Sequence, residues 1–242
     1  MFLAIDIGNS NVTCGVYHKN KWLHQERILS NFNFWNNLTS LKEFNISKVA
    51  ISSVVPKLTD IYKESIINLF HLEPLIITHL NSGINLNVEF PKEVGTDRIC
   101  NIVAALKLVG SPCIIGDIGS ATNYDVLDVN GDFIGGAIAP GLETAAYNLF
   151  EKAALIKETA FIVPELTIGK NTSTNLQSGI MFGAIDVIDG MFKRIILETG
   201  WSNSHQIITG GFGKLISNHL KTKHQLIPTL TLDGIRIIYD SQ

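Results

Sequence analysis

The sequence lacks the features that mark membrane, secreted and zinc-binding proteins. It has no stretch of about 18 consecutive apolar residues, so no transmembrane helix is predicted. No basic segment precedes the first apolar residues, and we therefore expect no signal peptide. The 3 cysteines, Cys14, Cys100 and Cys113, show no Cys-x-x-Cys spacing. They are predicted to be buried thiols of a cytoplasmic protein, because a reducing compartment disfavours disulfides.

Common catalytic motifs are missing as well. There is no GxxxxGKS/T loop, no HExxH pair and no protein-kinase motif set. A formal net charge of −3 disfavours a dedicated nucleic-acid binder. What remains is a chain of 242 residues with 45% hydrophobic content, long enough for one large or two small globular domains.

The most informative stretch is residues 1–17. An apolar run at residues 2–5 predicts a buried strand, and the alternation at residues 12–17 predicts a second strand. The Gly-Asn pair between them is typical of a turn, so the segment is predicted to be a β-hairpin. Asp6 stands at the end of the buried strand, where a carboxylate needs partners.

Two interpretations of the hairpin tip are open. Gly8 would let the backbone approach a ligand closely, and amide and hydroxyl side chains surround it: Asn9, Ser10, Asn11 and Thr13. Such a set can hold phosphate oxygens, with Asp6 near a divalent cation. The alternative is an ordinary polar hairpin tip in which Asp6 only stabilises the turn.

The opening pattern recurs half a chain later. An apolar strand at residues 113–116 leads into Asp117-Ile118-Gly119-Ser120, and another strand follows at residues 124–129. Asp117 lies 111 residues after Asp6, and a shared strand–turn–strand context at this offset is hard to obtain by chance. We therefore expect two similar α/β domains, residues 1–111 and 112–242, with the ligand site in a cleft between them.

The rest of the chain divides into shorter strands and helices. Strands are predicted at residues 22–28, 48–55, 74–77, 133–139 and 206–209, and helices at residues 32–44, 58–70, 97–108, 141–154, 174–199 and 232–239. Asn130-Gly131 predicts a type I′ hairpin turn. Gly210-Gly211 at a strand end is compatible with two structures, a backbone surface for a flat adenine ring or a tight strand-to-helix turn.

A second group of polar residues opens the helix predicted at residues 97–108. An Asp near a helix N-terminus is favoured electrostatically, so a purely structural role for Asp97 is one interpretation. Arg98 is harder to explain in this way, because a cation in the first turn opposes the helix dipole. A guanidinium can grip a carboxylate, and an Asp beside it suits an enzyme that takes a proton from a substrate hydroxyl.

Together these segments resemble the type III pantothenate kinases of the acetate kinase/Hsp70/actin superfamily. The resemblance rests on the order and spacing of AIDIGNSN (4–11), ISSVVP (51–56), PKEVGTDRICNIVAA (91–105), DIGSATNYDV (117–126), GGAIAPGL (135–142), IGKNTSTNLQSGI (168–180) and TGGFG (209–213). It implies two ribonuclease H-like (actin-like ATPase) domains. It also implies ATP-dependent phosphorylation of pantothenate, the first step of coenzyme A synthesis.

The resemblance further implies site residues. Asp97 would be the catalytic base, and pantothenate would be contacted by Gly95, Thr96, Asp97, Arg98 and Thr172. Asp6 would lie near Mg²⁺, and Asp117 would bind a monovalent cation, K⁺ or NH₄⁺. ATP would be bound by Ser120 and by the hairpin tip, namely Asp6, Ile7, Gly8, Asn9, Ser10, Asn11, Val12 and Thr13. Because family members are dimers, a homodimer is expected.

Some positions depart from the family pattern. Ser10 and Ser120 stand where a Thr is usual, and each keeps the hydroxyl. Asn123 also replaces a Thr, and Val88 replaces a substrate-side Tyr, which concerns pantothenate affinity more than the type of reaction. Since the charged positions all match, an active kinase is predicted.

Two other functions are compatible with parts of the sequence. One is a non-enzymatic regulator of transcription on the same fold, which a degraded site would favour and the intact Asp97-Arg98 pair disfavours. The other is a sugar or acid kinase of the same superfamily, which the short second domain and the GTDR segment disfavour.

Overall fold

The computed structural model describes residues 1–30 and 35–242. The chain divides into two compact units, one formed by Met1–Leu108 with Thr229–Gln242 and the other by Val109–Pro228. The division near residue 110 lies close to the predicted domain boundary. The C-terminal segment, which the sequence analysis assigned to the second domain, belongs instead to the first unit.

The first unit is built on a five-stranded sheet with the order β3-β2-β1-β4-β5. Its strands are β1 (Phe2–Ile7), β2 (Asn11–His18), β3 (Lys21–Leu29), β4 (Lys48–Ser53) and β5 (Leu75–Ile76). β1 pairs antiparallel with β2 and parallel with β4. Its apolar run is fully buried at Leu3, Ala4 and Ile5, as expected for a strand covered on both faces.

The helices of the first half of this unit are α1 (Trp35–Ser40), α2 (Pro56–Phe70) and α3 (Thr96–Leu108). The helix predicted at residues 32–44 ends earlier, at Ser40, and a 3-10 turn, Leu41–Glu43, follows it. Residues 32–34 of this prediction lie outside the described chain. Pro56 opens α2 at a position where its missing N–H costs nothing. Tyr62 and Ile66 of α2 are fully buried in the core formed with β1 and β4.

The second unit repeats the same sheet order as β10-β9-β6-β7-β8. Its strands are β6 (Cys113–Ile118), β7 (Ala121–Leu127), β8 (Phe133–Pro140), β9 (His205–Thr209) and β10 (Gln225–Leu226), and its helices are α4 (Leu142–Lys152), α5 (Thr172–Thr199) and α6 (Gly213–Ser217). β6 thus takes the place of β1, with an antiparallel partner on one side and a parallel partner on the other. The repeat that the Asp-Ile-Gly pattern predicted is confirmed at the level of topology.

The last helix, α7 (Leu230–Asp240), packs within the first unit. Trp22 donates from Nε1 to Asp233 Oδ1 at 3.0 Å, and Thr231 donates to Asn101 Oδ1 at 2.8 Å. Gly234 lies directly against the backbone of Cys100 in α3, where a Cβ would clash. Contacts between residues so distant in sequence leave no local pattern, which explains why the sequence analysis placed this helix in the other domain.

The turn predicted at Asn130-Gly131 is wrong in type. A type I′ turn needs positive φ at both central residues, and only Gly131 has it, at +84°. The Asp128 carboxylate accepts the N–H groups of Asn130 at 2.8 Å and Asp132 at 2.9 Å, which stabilises a three-residue loop instead. The short elements β10 and α6 were not predicted, because segments of this length carry no periodicity.

α5 begins two residues before its predicted start. Asn171 is its N-cap and accepts the Thr174 N–H at 2.9 Å, while the Thr174 side chain bonds back to Asn171. Gly200 ends the helix with a φ of +74°. None of the helices within residues 1–30 and 35–242 is long and apolar enough to cross a membrane.

Candidate active site

The predicted hairpin tip is the connection between β1 and β2. The Gly8 N–H donates to the Asn11 carbonyl at 2.9 Å. From the other side, the Ser30 hydroxyl donates to the Gly8 carbonyl at 2.6 Å, and the Ser30 N–H donates to the Ser10 carbonyl at 2.9 Å. The tip is therefore held on both sides, while Asn9 and Ser10 are exposed to solvent.

Some residues of the predicted ATP-binding stretch have buried side chains that a ligand cannot reach. Ile7 and Val12 are 0% and 1% exposed and belong to the core of the first unit. A nucleotide could contact these two residues only through their backbone, which is how phosphate-binding loops hold phosphate oxygens. Thr13 is partly buried and lies opposite Asp6 across the hairpin.

Asp6 has a buried neighbour on its other side. It is in register with Ser52 of the parallel strand β4, and the Ser52 hydroxyl lies 3.0 Å from Asp6 Oδ1. Ser52 is fully buried. This hydrogen bond satisfies part of the hydrogen-bonding capacity of a carboxylate that stands at the end of an apolar strand.

The same serine reaches the start of α3. Its Oγ lies 3.2 Å from Thr96 Oγ1, and Thr96 Oγ1 also accepts the Ser53 N–H and donates to the Ser53 carbonyl, both at 2.9 Å. The two constellations found in the sequence, at Asp6 and at residues 95–98, are thus joined within the first unit. At the level of the sequence, ISSVVP contributed to a predicted strand and to the family resemblance, and Ser52 was given no role; two serines in a buried apolar run were the available clue.

Asp97 lies in the first turn of α3 and is partly buried. Its Oδ1 accepts the N–H of Arg98 at 2.8 Å. Burial raises the pKa of the Asp97 carboxyl, although the Arg98 N–H and the Arg98 charge partly oppose this. A carboxylate whose pKa is raised toward neutrality is a better proton acceptor, which suits a general base.

Asp117 occupies in the second unit the place that Asp6 occupies in the first. It is partly buried and in register with Asn123 on β7 and Thr209 on β9. Gly210 follows β9 directly and has a φ of +88°. It lies so close to Asp117 that a Cβ on residue 210 would clash with Asp117 Oδ1. Gly210-Gly211 forms the tight turn from β9 into α6, and a backbone surface for an adenine ring stays a prediction.

Ser120 lies exposed in the tip between β6 and β7. Its carbonyl accepts the Gly141 N–H at 3.1 Å and the Thr144 hydroxyl at 2.7 Å, which ties the start of α4 to this tip. Thr172 is the exposed first residue of α5. Thr172 and residues 95–98, predicted together as pantothenate contacts, belong to different units.

A site that holds a metal ion by protein side chains alone usually needs several ligands close together. Within residues 1–30 and 35–242, no group of three or more His, Cys, Asp or Glu side chains could hold a metal ion. A lone carboxylate at Asp6 nevertheless fits Mg²⁺ where a phosphate ligand is bound as well, because Mg²⁺ is usually held by one or two carboxylates together with substrate phosphates and water.

The second unit also contains an apolar cavity of about 490 Å³, which sequence reasoning missed. It lies between α4, α5 and the sheet, and small residues such as Gly179, Gly183 and Ala146 contribute to its wall. Tyr124 lines it with a buried hydroxyl that has no hydrogen-bond partner among the described residues. Burial raises the pKa of this phenol to about 12.

Solved structures with similar folds agree with the repeated topology. A Baf family transcriptional activator from Campylobacter jejuni matches 99% of this chain and 98% of its own, with a TM-score of 0.62 at 19% identity. MreB5 of Spiroplasma citri bound to ADP matches 99% of this chain and 96% of its own, with a TM-score of 0.53 at 10% identity. The fold is that of two ribonuclease H-like domains, the class that includes actin-like proteins and sugar kinases.

Sequence comparison narrows this class to one family. The model of the family described as type III pantothenate kinase matches residues 2–194. The type III pantothenate kinase of Agathobacter rectalis is 35% identical, covering 100% of this chain and 98% of its own. That of Moorella thermoacetica is 37% identical, covering 99% of each chain. The chain belongs to the type III pantothenate kinase family.

Proposed function

We propose that the protein phosphorylates pantothenate with ATP to give 4′-phosphopantothenate, the first step of coenzyme A biosynthesis. Family membership supports the reaction. One structural observation carries the assignment of the site, namely the hydrogen-bonded chain from Asp6 through Ser52 to Thr96. It joins the strand that leads into the phosphate loop to the helix that bears Asp97, so both groups have a fixed relation within one unit.

In this proposal the connection between β1 and β2 binds the ATP phosphates. Backbone N–H groups of the tip and the exposed Asn9 and Ser10 contact the phosphate oxygens. Asp6 would hold Mg²⁺, which when bound neutralises charge on the phosphates. In the second unit, Ser120 contacts the nucleotide and Asp117 would hold a monovalent cation. The single carboxylate at each strand end supports these roles.

Asp97 is the general base of the proposed reaction. It takes the proton from the primary hydroxyl of pantothenate while that oxygen attacks the γ-phosphorus in line, and the bond from the γ-phosphorus to the bridging oxygen breaks to release ADP. Arg98 pairs with the pantothenate carboxylate through its guanidinium fork. Gly95, Thr96 and Thr172 complete the substrate contacts. The partly buried position of Asp97 and its raised pKa support the role of base.

The proposal includes a homodimer in the cytoplasm. Leu149 and Val187 on the rim of the apolar cavity are 41% and 55% exposed, and a second copy of the chain would cover them. Light scattering should give twice the chain mass, and Val187→Glu should give the monomer. The three free, buried thiols support a reducing compartment.

The decisive experiment is ADP release measured with purified protein, ATP, Mg²⁺ and pantothenate, first in K⁺ and then in Na⁺ buffer. We expect turnover that depends on pantothenate and is stimulated by K⁺. Asp97→Asn should lower kcat by about 10²–10⁴-fold, the usual contribution of a positioned base, while the variant still binds ATP. The amide keeps an oxygen that can accept the Arg98 N–H, so the start of α3 is preserved.

The results separate the parts of the proposal. A folded dimer without turnover in either buffer would refute the kinase assignment. Equal turnover in K⁺ and Na⁺ would refute the proposed monovalent-cation site at Asp117 but would not affect the assignment of the reaction. Undiminished turnover of Asp97→Asn would show that another group accepts the proton.

A further inference from the structure

We infer that Ser52 is a positioning residue of the kinase reaction: its buried hydroxyl holds the carboxylate of Asp6 and the start of α3 in one fixed arrangement. This inference rests on the proposed function. Ser52 is not itself one of the residues proposed to contact ATP or pantothenate; its hydroxyl contacts Asp6 and Thr96, and its effect on the reaction is exerted through these two residues.

The location of Ser52 is unfavourable for a serine unless its hydroxyl is used. It is 0% exposed, and the residues before it on β4, Val49, Ala50 and Ile51, are buried and apolar. Burying a hydroxyl without a partner costs free energy, whereas an alanine would pack here without that cost. The partners that offset the cost are Asp6 at 3.0 Å and Thr96 at 3.2 Å.

The protons of this network can be assigned from the distances. The Thr96 hydroxyl donates to the Ser53 carbonyl at 2.9 Å, so its own proton is committed there. The Ser52 proton then has two acceptors, Asp6 Oδ1 and Thr96 Oγ1. The carboxylate is the stronger acceptor because it is charged. Ser52 therefore donates to Asp6 and its oxygen packs against Thr96.

A second residue of α3 faces the same hydroxyl. Cys100 lies one turn after Thr96, on the same side of the helix, and is 0% exposed. Burial raises the pKa of its thiol well above the usual value, the charge of Asp6 adds to this, and the neighbouring Ser52 hydroxyl offsets it in part. The thiol therefore stays protonated beside Ser52. Two residues in successive turns of α3, Thr96 and Cys100, thus lie against Ser52 of β4. These contacts fix the position of the helix start, and with it that of Asp97, relative to β4.

The second unit indicates which substitution should keep the function. The residue in register with Asp117 on the parallel strand is Thr209, which is 1% exposed. The equivalent place in the repeated sheet thus accommodates a buried threonine, which also carries a hydroxyl on its β-carbon. Ser52→Thr is therefore the conservative variant, and Ser52→Cys is a variant of nearly equal volume with a weak donor.

The test compares kinetics of Ser52→Ala, Ser52→Cys and Ser52→Thr with wild-type protein. Ser65→Ala is the matched control, since Ser65 is also a buried serine, 4% exposed, but donates to Ile61 within α2. We expect kcat to fall about 10–100-fold for the Ala and Cys variants, the scale of a small misplacement of reacting groups. The KM values for ATP and pantothenate should change less than threefold, and Ser52→Thr should recover at least a third of wild-type kcat.

Two results would overturn the inference. One is a Ser52→Ala kcat within twofold of Ser65→Ala; the other is equal loss in the Thr, Ala and Cys variants, which would indicate packing rather than the hydroxyl. Hydrogen exchange provides a readout that does not need turnover. The Ser53 N–H, bonded to Thr96, should exchange at least tenfold faster in Ser52→Ala than in Ser65→Ala. If wild-type protein has no turnover, the proposed function fails. The exchange measurement then decides only whether the Ser52 hydroxyl holds the start of α3 in place.

Discussion

Gly95 leaves room for the carboxylate of Asp97. A Cβ added at Gly95 would lie 2.5 Å from Asp97 Oδ1 and 3.4 Å from the Val54 side chain. The first of these distances is too short, and the atom that must move is the end of a side chain rather than backbone. The absence of a side chain at residue 95 is therefore a condition for the position of the proposed base.

Gly95→Ala should impair catalysis more than stability. The added methyl group displaces the Asp97 carboxylate, and we expect kcat to fall about 10–100-fold because a shift of about 1 Å at the reacting group is sufficient for this. The thermal midpoint should stay within a few degrees of wild type. Steady-state kinetics and thermal unfolding measure the two effects. Gly190→Ala in α5 is the control, since no atom lies within 4 Å of its added Cβ. Equal kcat values in the two variants would contradict the prediction.

The pH dependence of activity should follow the ionisation of Asp97. Burial raises its pKa, so the ionised base is lost at a higher pH than for an ordinary Asp, whose pKa is about 3.9. We expect kcat/KM to fall as the pH is lowered through this raised pKa, and Asp97→Asn to lose this acid limb. Initial rates from pH 4 to pH 9 test this. An acid limb at or below the pKa of an ordinary Asp would contradict the assignment.

The same group should cost stability at neutral pH. A carboxyl with a raised folded-state pKa contributes stability below its unfolded pKa and loses it as the pH rises through the folded pKa. Asp97→Asn should therefore melt at or above the wild-type temperature at pH 7.5.

Asp189 provides a control in which the pKa is shifted in the opposite direction. Burial works to raise its pKa, but the N–H groups of Lys221 and Thr222 at 2.9 Å outweigh this and lower it. The ionised Asp189 carboxylate therefore stabilises the fold above the unfolded-state pKa, and this stabilisation is lost as the pH falls through the folded-state pKa. Asp189→Asn should melt at a lower temperature than wild type at pH 7.5.

Gly210→Ala should destabilise the second unit. Its φ of +88° disfavours a side chain, and a Cβ would lie 2.6 Å from backbone atoms of Ile118, which cannot move cheaply. We expect a loss of about 2–4 kcal/mol, combining the left-handed backbone and the clash. Gly200→Ala isolates the first part, since Gly200 has a φ of +74° and open space around it, and it should lose only about 1 kcal/mol. Denaturant unfolding of both variants measures the difference, and equal losses would contradict the role of the Ile118 contact.

The three cysteines should resist labelling in the folded protein. Burial, with a smaller effect from the charges of Glu26 and Asp6, raises the pKa of Cys14 to about 12. Burial alone raises that of Cys113 to about 12. Since the thiolate is the reactive form, a disulfide exchange reagent should label no thiol of native protein at pH 8 and three in guanidinium. Rapid labelling of one thiol before unfolding would show that its burial is incomplete.

Local patterns in the sequence determined much of this protein. The apolar runs and their alternation predicted β1, β2, β6 and β7, because a strand buried on both faces or on one face leaves a direct mark on the order of residues. The recurrence of Asp-Ile-Gly after 111 residues predicted two similar units, and the two sheets share one strand order. Gly95, Thr96, Asp97 and Arg98 were correctly expected at the start of a helix, since its boundary is also a local property.

Only the tertiary structure decided the features that depend on distant contacts. The sequence does not state that α7 packs within the first unit or that Gly234 lies against Cys100, because this requires two surfaces to fit. Nor does it state that Ser52, in an apolar strand, joins Asp6 to Thr96. The parallel pairing of β1 with β4 brings Asp6 to Ser52 across 46 positions of the chain, and the packing of α3 against β4 brings Thr96 to Ser52 across 44. Hydrogen bonds of this kind follow from register and burial, which only the folded chain fixes.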